Sequence, residues 1–122
     1  MLKLLPEYDI VIVGAGPAGC GLANFLSKDY KVLIIDWSRF PRDKPCGGLL
    51  VEESQEMLKK FDMPENIFSY PKRMDIKYLD WDNKLEFSEK RNFLNTNRRS
   101  FDYWMLKLSE NKTQFSSETK LV

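Results

Sequence analysis

Residues 8–36 carry the pattern that most constrains the fold of this chain. An apolar run over residues 8–13 leads into residues 14–19, which read GAGPAG and have the spacing G-x-G-x-x-G. A helical segment follows, and then a second apolar run over residues 31–36 that ends in Asp36. Because two near-continuous apolar strands joined by a helix are typical of a parallel sheet covered on both faces, we predict a Rossmann-like βαβ unit that binds a dinucleotide.

Each small residue of the loop has a physical reason to be there. Gly14 can turn the chain as it leaves the strand, because it adopts dihedral angles that a Cβ forbids. Gly16 lets the backbone approach a pyrophosphate, and Gly19 lets the helix pack closely on the strand. Pro17 suits the first helical turn, where its missing N–H costs nothing. The helix N-terminus, including Ala18, then offers N–H groups and the positive end of its dipole to phosphate oxygens.

The acid at the end of the second strand indicates the type of nucleotide. Asp36 follows the first glycine by 22 positions, close to the spacing of about 20 expected for the carboxylate that accepts the ribose hydroxyls. A carboxylate there repels a 2′-phosphate and disfavours NADP. We place the adjacent Trp37 among the cofactor-binding residues as well. The alternative is an ordinary strand–helix turn whose aspartate faces solvent.

Composition excludes several classes of function. The chain has 122 residues, within the range of one domain, and 19 basic against 18 acidic residues, so its charge indicates no nucleic-acid partner. It contains no histidine, which excludes Ser-His and Cys-His catalytic pairs and histidine metal sites. We predict no metal. Charged residues at 30% and apolar residues at 43% are an ordinary globular balance.

Cysteine usage and the N-terminus indicate a cytoplasmic protein. Cys20 lies inside the first predicted helix as a small packing residue, and with Cys46 it suggests no disulfide framework. The apolar run of residues 1–5 is too short for a signal peptide, and Pro6 interrupts it. No segment is long enough to span a bilayer. Peripheral contact with a membrane stays open.

Beyond the first strand, the apolar periodicity predicts two helices. The first covers residues 17–28 and the second, amphipathic, covers residues 50–61, with a Pro- and Gly-rich loop over residues 37–48 before it. The apolar stripe expected to face the core of the first helix consists of Ala18, Leu22, Phe25 and Leu26.

The second half of the chain changes period. Alternation over residues 73–88 predicts a β-hairpin that turns at Asp82-Asn83. A helical stripe follows, and residues 119–122 could begin a third strand of the first sheet. The stripe consists of Phe101, Trp104, Met105 and Leu108. We therefore divide the chain into an FAD- or NAD-binding segment (1–71), a hairpin of a partial substrate domain (72–95), and a return helix with a further strand (96–122).

Three segments together resemble the geranylgeranyl reductase family of FAD-dependent oxidoreductases, within the para-hydroxybenzoate-hydroxylase-like flavoproteins. The first is the glycine loop with Asp36. The second, residues 39–48, reads RFPRDKPCGG and is similar to the family's proline–cysteine–glycine–glycine loop. The third, residues 97–105, reads NRRSFDYWM and is similar to the group's arginine followed by a Phe-Asp pair and an apolar helix. The resemblance is to the first third of a family member.

The resemblance implies a set of contacts with FAD. Arg98 would lie near the pyrophosphate, where a guanidinium can donate two hydrogen bonds, while Arg99 would face water. Arg42 would meet phosphate or face water. Cys46 and Gly47 would lie by the flavin and the substrate, with Cys46 in a chemical role or simply as a small residue in a tight turn. An isoprenoid or other apolar substrate is the implied partner; the oligomeric state stays undetermined.

Two features depart from the family pattern. Asp36 stands where FAD proteins more often have a glutamate, and the chain lacks the downstream Gly-Asp segment that holds the flavin half. We therefore expect the N-terminal FAD-binding portion of a reductase acting on carbon–carbon double bonds of isoprenoid lipids, inactive by itself. The alternatives are a flavin monooxygenase or halogenase of the same group, a truncated non-catalytic remnant that binds nucleotide weakly, and an NAD-binding module.

Overall fold

The computed structural model describes residues 7–122 and divides into two compact units. Among these residues, the parallel-sheet unit comprises 7–44 and Arg99–Val122, and the hairpin unit comprises Pro45–Arg98. The predicted Rossmann-like α/β class is confirmed, since the first unit contains a parallel sheet with the helix between its first two strands. None of the helices among the described residues is long and apolar enough to cross a membrane.

The described part of the parallel-sheet unit contains three strands and two helices. Strand β1 (Ile10–Val13) leads into helix α1 (Pro17–Leu26) and then strand β2 (Val32–Ile35). Helix α3 (Arg98–Glu110), of which all but the first residue belong to this unit, precedes strand β6 (Gln114–Ser116). The sheet order is β1-β2-β6, all parallel, with Ile34 opposite both Ile12 and Phe115. Strand β2 is therefore central and buried along its whole length.

Two sequence expectations about this sheet were wrong. The third strand is β6, whereas residues 119–122 form no strand. Strand β1 is not buried on both faces, because Val11 and Val13 are 51% and 60% exposed while Ile12 is buried. An edge strand with one open face accounts for this alternation.

The apolar stripe predicted for α1 was also wrong. Its buried residues are Cys20, Ala23 and Asn24, whereas Leu22 is 49% and Phe25 72% exposed. The helix approaches the strand so closely at Gly19 that no Cβ fits there, and the inner face continues along Cys20, Ala23 and Asn24. In α3, the buried face is rotated slightly from the predicted stripe. It consists of three apolar and two polar residues: Phe101, Asp102, Met105, Leu106 and Ser109.

The hairpin unit is an antiparallel sheet of order β3-β5-β4 with one short helix. Strand β3 (Leu49–Leu50) is followed by helix α2 (Glu52–Leu58) and a 3₁₀ turn at Glu65–Ile67. Strands β4 (Phe68–Asp80) and β5 (Leu85–Thr96) form a hairpin.

The predicted hairpin and its turn are present, but the strands are longer than the pattern indicated. The turn contains Asp82 and Asn83, and Asp80 accepts hydrogen bonds from the backbone N–H and the side chain of Asn83. Helix α2 is shorter than the predicted 50–61, because Leu50 pairs with Leu94 in the sheet instead of starting a helix.

Candidate functional site

The glycine loop between β1 and α1 has the geometry that its sequence predicts. Gly14 has a φ of +107°, a conformation that residues with a Cβ rarely adopt, and its N–H donates to the Ile35 carbonyl at 2.8 Å. A Cβ on Gly19 would lie 1.9 Å from the Gly14 carbonyl oxygen. Gly19 is therefore the residue that allows the helix to contact the strand end.

The N-terminus of α1 is open on the side of the loop. Gly16 is the N-cap and provides no side chain to cap the first N–H groups, and Pro17 occupies the first turn as predicted. Ala18 is exposed beside them. A helix N-terminus without a side-chain cap leaves N–H donors for an anion. This arrangement suits a phosphate group.

Asp36 connects the end of β2 to the glycine loop. One of its carboxylate oxygens accepts a hydrogen bond from Ala15 N–H at 2.8 Å, and the other accepts one from Ser38 N–H at 2.8 Å. The residue is only 5% exposed, whereas the adjacent Trp37 is 76% exposed. Each oxygen keeps a second lone pair. Asp36 thus organises the loop, and its contact with ribose stays a prediction.

Arg42 brings a positive charge to the glycine loop. Its Nη2 lies 3.9 Å from the position that a Cβ on Gly16 would occupy, so the guanidinium faces the space left by the missing side chain. The guanidinium carbon lies 4.8 Å from the centroid of the Phe40 ring. Nη1 is buried and has no hydrogen-bond partner among residues 7–122. Nη2, which faces the loop, is therefore the guanidinium nitrogen suited to an incoming acceptor.

The sequence reasoning missed the role of Asp102. Its side chain is fully buried, and its Oδ2 lies 3.4 Å from Arg42 Nη1, whose side chain is 16% exposed. The available signal was the Phe-Asp pair of the third motif, which placed a charged residue on the buried face of α3. Buried carboxylates are paired with a cation in most proteins, so the pattern pointed to a partner without identifying it.

Cys20 lies beneath the loop and is chemically inert. Its Sγ donates to the Ala15 carbonyl at 3.3 Å, and its side chain is fully buried. Burial raises the pKa of the Cys20 thiol to about 11. The predicted packing role agrees with this environment, since a thiol with such a pKa stays protonated at neutral pH.

The cysteine loop belongs to the hairpin unit. Cys46 is exposed, and its Sγ accepts a hydrogen bond from Gly48 N–H at 3.4 Å. A Cβ on Gly48, which has a φ of +72°, would lie 2.1 Å from the Thr96 carbonyl oxygen, whereas one on Gly47 would meet nothing within 4 Å. Gly48 is therefore the position in this loop that requires glycine, and a cofactor contact of Gly47 stays a prediction.

The two arginines of the third motif differ. Arg98, half-buried, is the first residue of α3 and belongs to the hairpin unit, and its cofactor contact stays a prediction. Arg99 is half-exposed, and its Nη1 lies 3.0 Å from Asp43 Oδ2. Of the predicted cofactor residues, the parallel-sheet unit holds Gly14, Gly16, Pro17, Ala18, Gly19, Asp36, Trp37 and Arg42. The hairpin unit holds Cys46, Gly47 and Arg98.

The residues of the parallel-sheet unit fit a dinucleotide. The loop has an open N-terminal helix turn, space at Gly16, and an arginine donor that faces this space. A metal centre has no such support, because no group of three or more acidic or cysteine residues that could hold an ion occurs among residues 7–122. The fold and the loop together define a Rossmann-type dinucleotide-binding domain.

Comparison with known proteins identifies the family. The sequence model described as FAD binding domain matches residues 7–115. The chain therefore belongs to this family of FAD-binding domains, and its cofactor is FAD. Protein CbrA of Escherichia coli (strain K12) is 31% identical over 110 residues, which are 85% of this chain and 31% of that protein. CbrA of Shigella sonnei is equally similar.

Solved structures share the fold. A geranylgeranyl bacteriochlorophyll reductase-like protein from Thermoplasma acidophilum has a TM-score of 0.76 at 17% identity, over 91% of this chain and 30% of the other. The flavin-dependent brominase Bmp2 has a TM-score of 0.69 at 24% identity, over 89% of this chain and 29% of the other. The myxobacterial halogenase CndH has a TM-score of 0.66 at 19% identity, over 96% of this chain and 30% of the other. The chain thus spans about a third of the length of these proteins.

Proposed function

We propose that this chain is the N-terminal FAD-binding portion of an oxidoreductase similar to geranylgeranyl reductases, and that it holds the ADP half of FAD. The observation that carries this proposal is the position of the Arg42 guanidinium, 3.9 Å from the vacant Cβ position of Gly16. With the open N-terminus of α1, it supplies a positive field for the pyrophosphate. Asp36 accepts the ribose hydroxyls with its remaining lone pairs, and Trp37 offers an exposed indole for the adenine.

The proposed reaction is the reduction of carbon–carbon double bonds of an isoprenoid lipid. FAD, when bound and reduced, supplies the hydride for this chemistry. The role of the protein is to orient the double bond and to exclude water. The proposal is supported by the Cys46-Gly47-Gly48 loop and by the name of the Thermoplasma structural neighbour. Cys46 and Arg98 are proposed to contribute to this site, and peripheral contact with a membrane would give access to the lipid.

Cofactor binding is tested by titrating the 122-residue chain with FAD, ADP and NAD. We expect FAD and ADP to bind and NAD to bind more weakly. Gly16→Val, which fills the space before Arg42, is expected to weaken both FAD and ADP by at least about tenfold. Gly21→Ala is the matched control, because its Cβ would be in ordinary contact, 4.0 Å from the Met105 methyl group. Absence of binding to the wild-type chain contradicts the proposal, and tighter binding of NAD supports the NAD-module alternative.

Because the 122-residue chain is expected to be inactive by itself, activity is tested in the full-length protein supplied with FAD, dithionite as reductant and geranylgeranyl diphosphate. The reductase proposal predicts products heavier by two hydrogen atoms per double bond, detected by mass spectrometry. Cys46→Ser measures the part that the thiol plays in turnover. Absence of turnover in a full-length protein that binds FAD supports the non-catalytic alternative, whereas turnover by the 122-residue chain alone would contradict that alternative.

A halogenase or monooxygenase is the second candidate function. The observation in its favour is the similarity of fold to the brominase Bmp2 and the halogenase CndH. Reduced flavin with oxygen, bromide and a phenol would then give a brominated product, or a hydroxylated one without halide. Formation of either product, with no saturation of the prenyl lipid, would replace the reductase proposal.

A further inference from the structure

We infer that Asp102 is a positioning residue for FAD binding: through Nη1 it holds the Arg42 guanidinium at the glycine loop, where Nη2 is presented to the pyrophosphate. This inference rests on the proposed function, because it takes Arg42 as a phosphate ligand. It assigns to α3 a part in the cofactor site that the glycine loop alone does not suggest.

The guanidinium is restrained on two sides and open on a third. The Phe40 ring lies against it at 4.8 Å, and Asp102 Oδ2 lies 3.4 Å from Nη1. On the remaining side, Nη2 faces the space before Gly16. An unrestrained arginine has many rotamers, and fixing one of them costs entropy when the ligand arrives. A guanidinium that is already restrained spares the ligand this cost.

Geometry argues against Asp102 as a mere charge partner. At 3.4 Å its oxygen makes an ion pair with Nη1 without satisfying that nitrogen, which keeps a buried donor with no hydrogen-bond partner in the described part of the chain. Because Nη1 is buried beside Asp102, the nitrogen left for a phosphate oxygen is Nη2, which faces Gly16. The pair therefore fixes the direction of Arg42 while leaving hydrogen-bonding capacity for a ligand.

A purely electrostatic role and a positioning role of Asp102 predict opposite changes in anion affinity for Asp102→Asn. Asp102→Asn removes a negative charge next to Arg42, and by Coulomb's law alone it should strengthen the binding of an anion. If Asp102 positions Arg42, the same substitution releases the guanidinium and weakens anion binding. The sign of the change therefore separates the two roles.

The experiment measures the affinities of the 122-residue chain for ADP and for adenosine by calorimetry. We expect D102N to weaken ADP about tenfold and to leave adenosine unchanged, because only ADP carries phosphates. In an Arg42→Gln background, D102N should change the ADP affinity by less than about twofold. Asp43→Asn is the matched control: it makes the same charge change in the exposed Arg99–Asp43 pair and should leave ADP binding unchanged or slightly tighter.

A second readout follows Arg42 without any ligand. In the wild-type chain, the Arg42 Nε–H signal should exchange slowly with water in NMR spectra, and in D102N it should exchange faster. If D102N fails to fold, Asp102→Glu keeps the charge but displaces the carboxylate, and the ratio of ADP to adenosine affinity should fall in that folded variant.

The outcomes separate this inference from the proposed function. If the wild-type chain binds ADP and D102N binds it equally or more tightly, Asp102 does not position Arg42, while the proposed function stands. If the wild-type chain binds no ADP, the proposed function fails. In that case, an unchanged Arg42 signal in D102N overturns the positioning role, and faster exchange supports it.

Discussion

The two units of this protein are stabilised in different ways. In the parallel-sheet unit, β2 is buried along its whole length. The inward-facing side chains of α1 and α3 are buried as well. In the hairpin unit, most of β4 and the first half of β5 are exposed, and burial is concentrated near the ends of these strands at Ile67, Phe93 and Leu94. One unit depends on side-chain packing and the other on backbone pairing. The same substitution should therefore cost very different free energies in the two units.

The largest expected effect concerns the contact between α1 and β1. Gly19→Ala places a Cβ 1.9 Å from the Gly14 carbonyl oxygen, so the helix must move away from the strand. We expect a loss of at least about 3 kcal/mol in the free energy of unfolding, measured by urea denaturation. Gly21→Ala in the same helix is the control and should be neutral or stabilising. Equal stability of the two variants would show that the loop is not tightly packed.

The next effect compares buried and exposed aliphatic residues. Ile34→Ala removes a fully buried side chain from the central strand and should cost about 2–5 kcal/mol. Leu79→Ala, at a 47% exposed position of the hairpin, should change the stability by less than about 0.5 kcal/mol. Similar losses in the two variants would contradict the contrast between the units.

A smaller effect depends on pH. The pKa of the Cys20 thiol rises from 9.0 to about 11 on folding, so the native chain binds more protons than the unfolded chain between these values. This contribution is fully present below pH 9 and is lost as the pH rises towards 11. It amounts to roughly 3 kcal/mol. Cys20→Ala should reduce the pH dependence of the stability in this window.

Thiol labelling gives an independent check on the same contrast. Cys46 is exposed in the hairpin unit and should react with a thiol reagent at pH 8, whereas Cys20 is buried and should not. Rapid modification of both thiols in the native chain would contradict the buried environment of Cys20.

The smallest effect lies in the hairpin. Tyr78 and Phe87 are opposite each other in the register, and their rings are stacked with centroids 4.5 Å apart. A double-mutant cycle with Tyr78→Ala and Phe87→Ala should give a coupling of about 0.2–1 kcal/mol. A cycle with no measurable coupling would indicate that backbone hydrogen bonds alone define the outer part of the hairpin.

Local patterns were sufficient for the elements whose chemistry is local. The glycine loop, the position of Asp36 after β2, and the hairpin turn at Asp82-Asn83 agree with the structure because each depends on neighbouring residues. The burial of α1 could not be predicted in this way. Leu22 and Phe25 have helical spacing, yet the close contact at Gly19 directs the small residues inward instead.

Long-range partners were likewise beyond the sequence patterns. The stretch 119–122 has the residues of a strand, but it is β6, after α3, that pairs with β2. Similarly, position 48 requires glycine because a Cβ there would lie 2.1 Å from the Thr96 carbonyl oxygen. Thr96 is 48 positions further along the chain, so the sequence pattern gives no sign of this contact. Such contacts depend on how the strands meet, and residue types alone do not specify this.

The sequence by itself determined the class of the domain and the kind of ligand, because the G-x-G-x-x-G spacing and its flanking strands are direct consequences of backbone geometry around a pyrophosphate. Only the tertiary structure decided which charged side chains meet beside the glycine loop. Arg42 and Asp102 are 60 positions apart, and it is the packing of α3 in the parallel-sheet unit that places the carboxylate 3.4 Å from the guanidinium. A buried charge needs a partner, and the identity of that partner is a property of the fold.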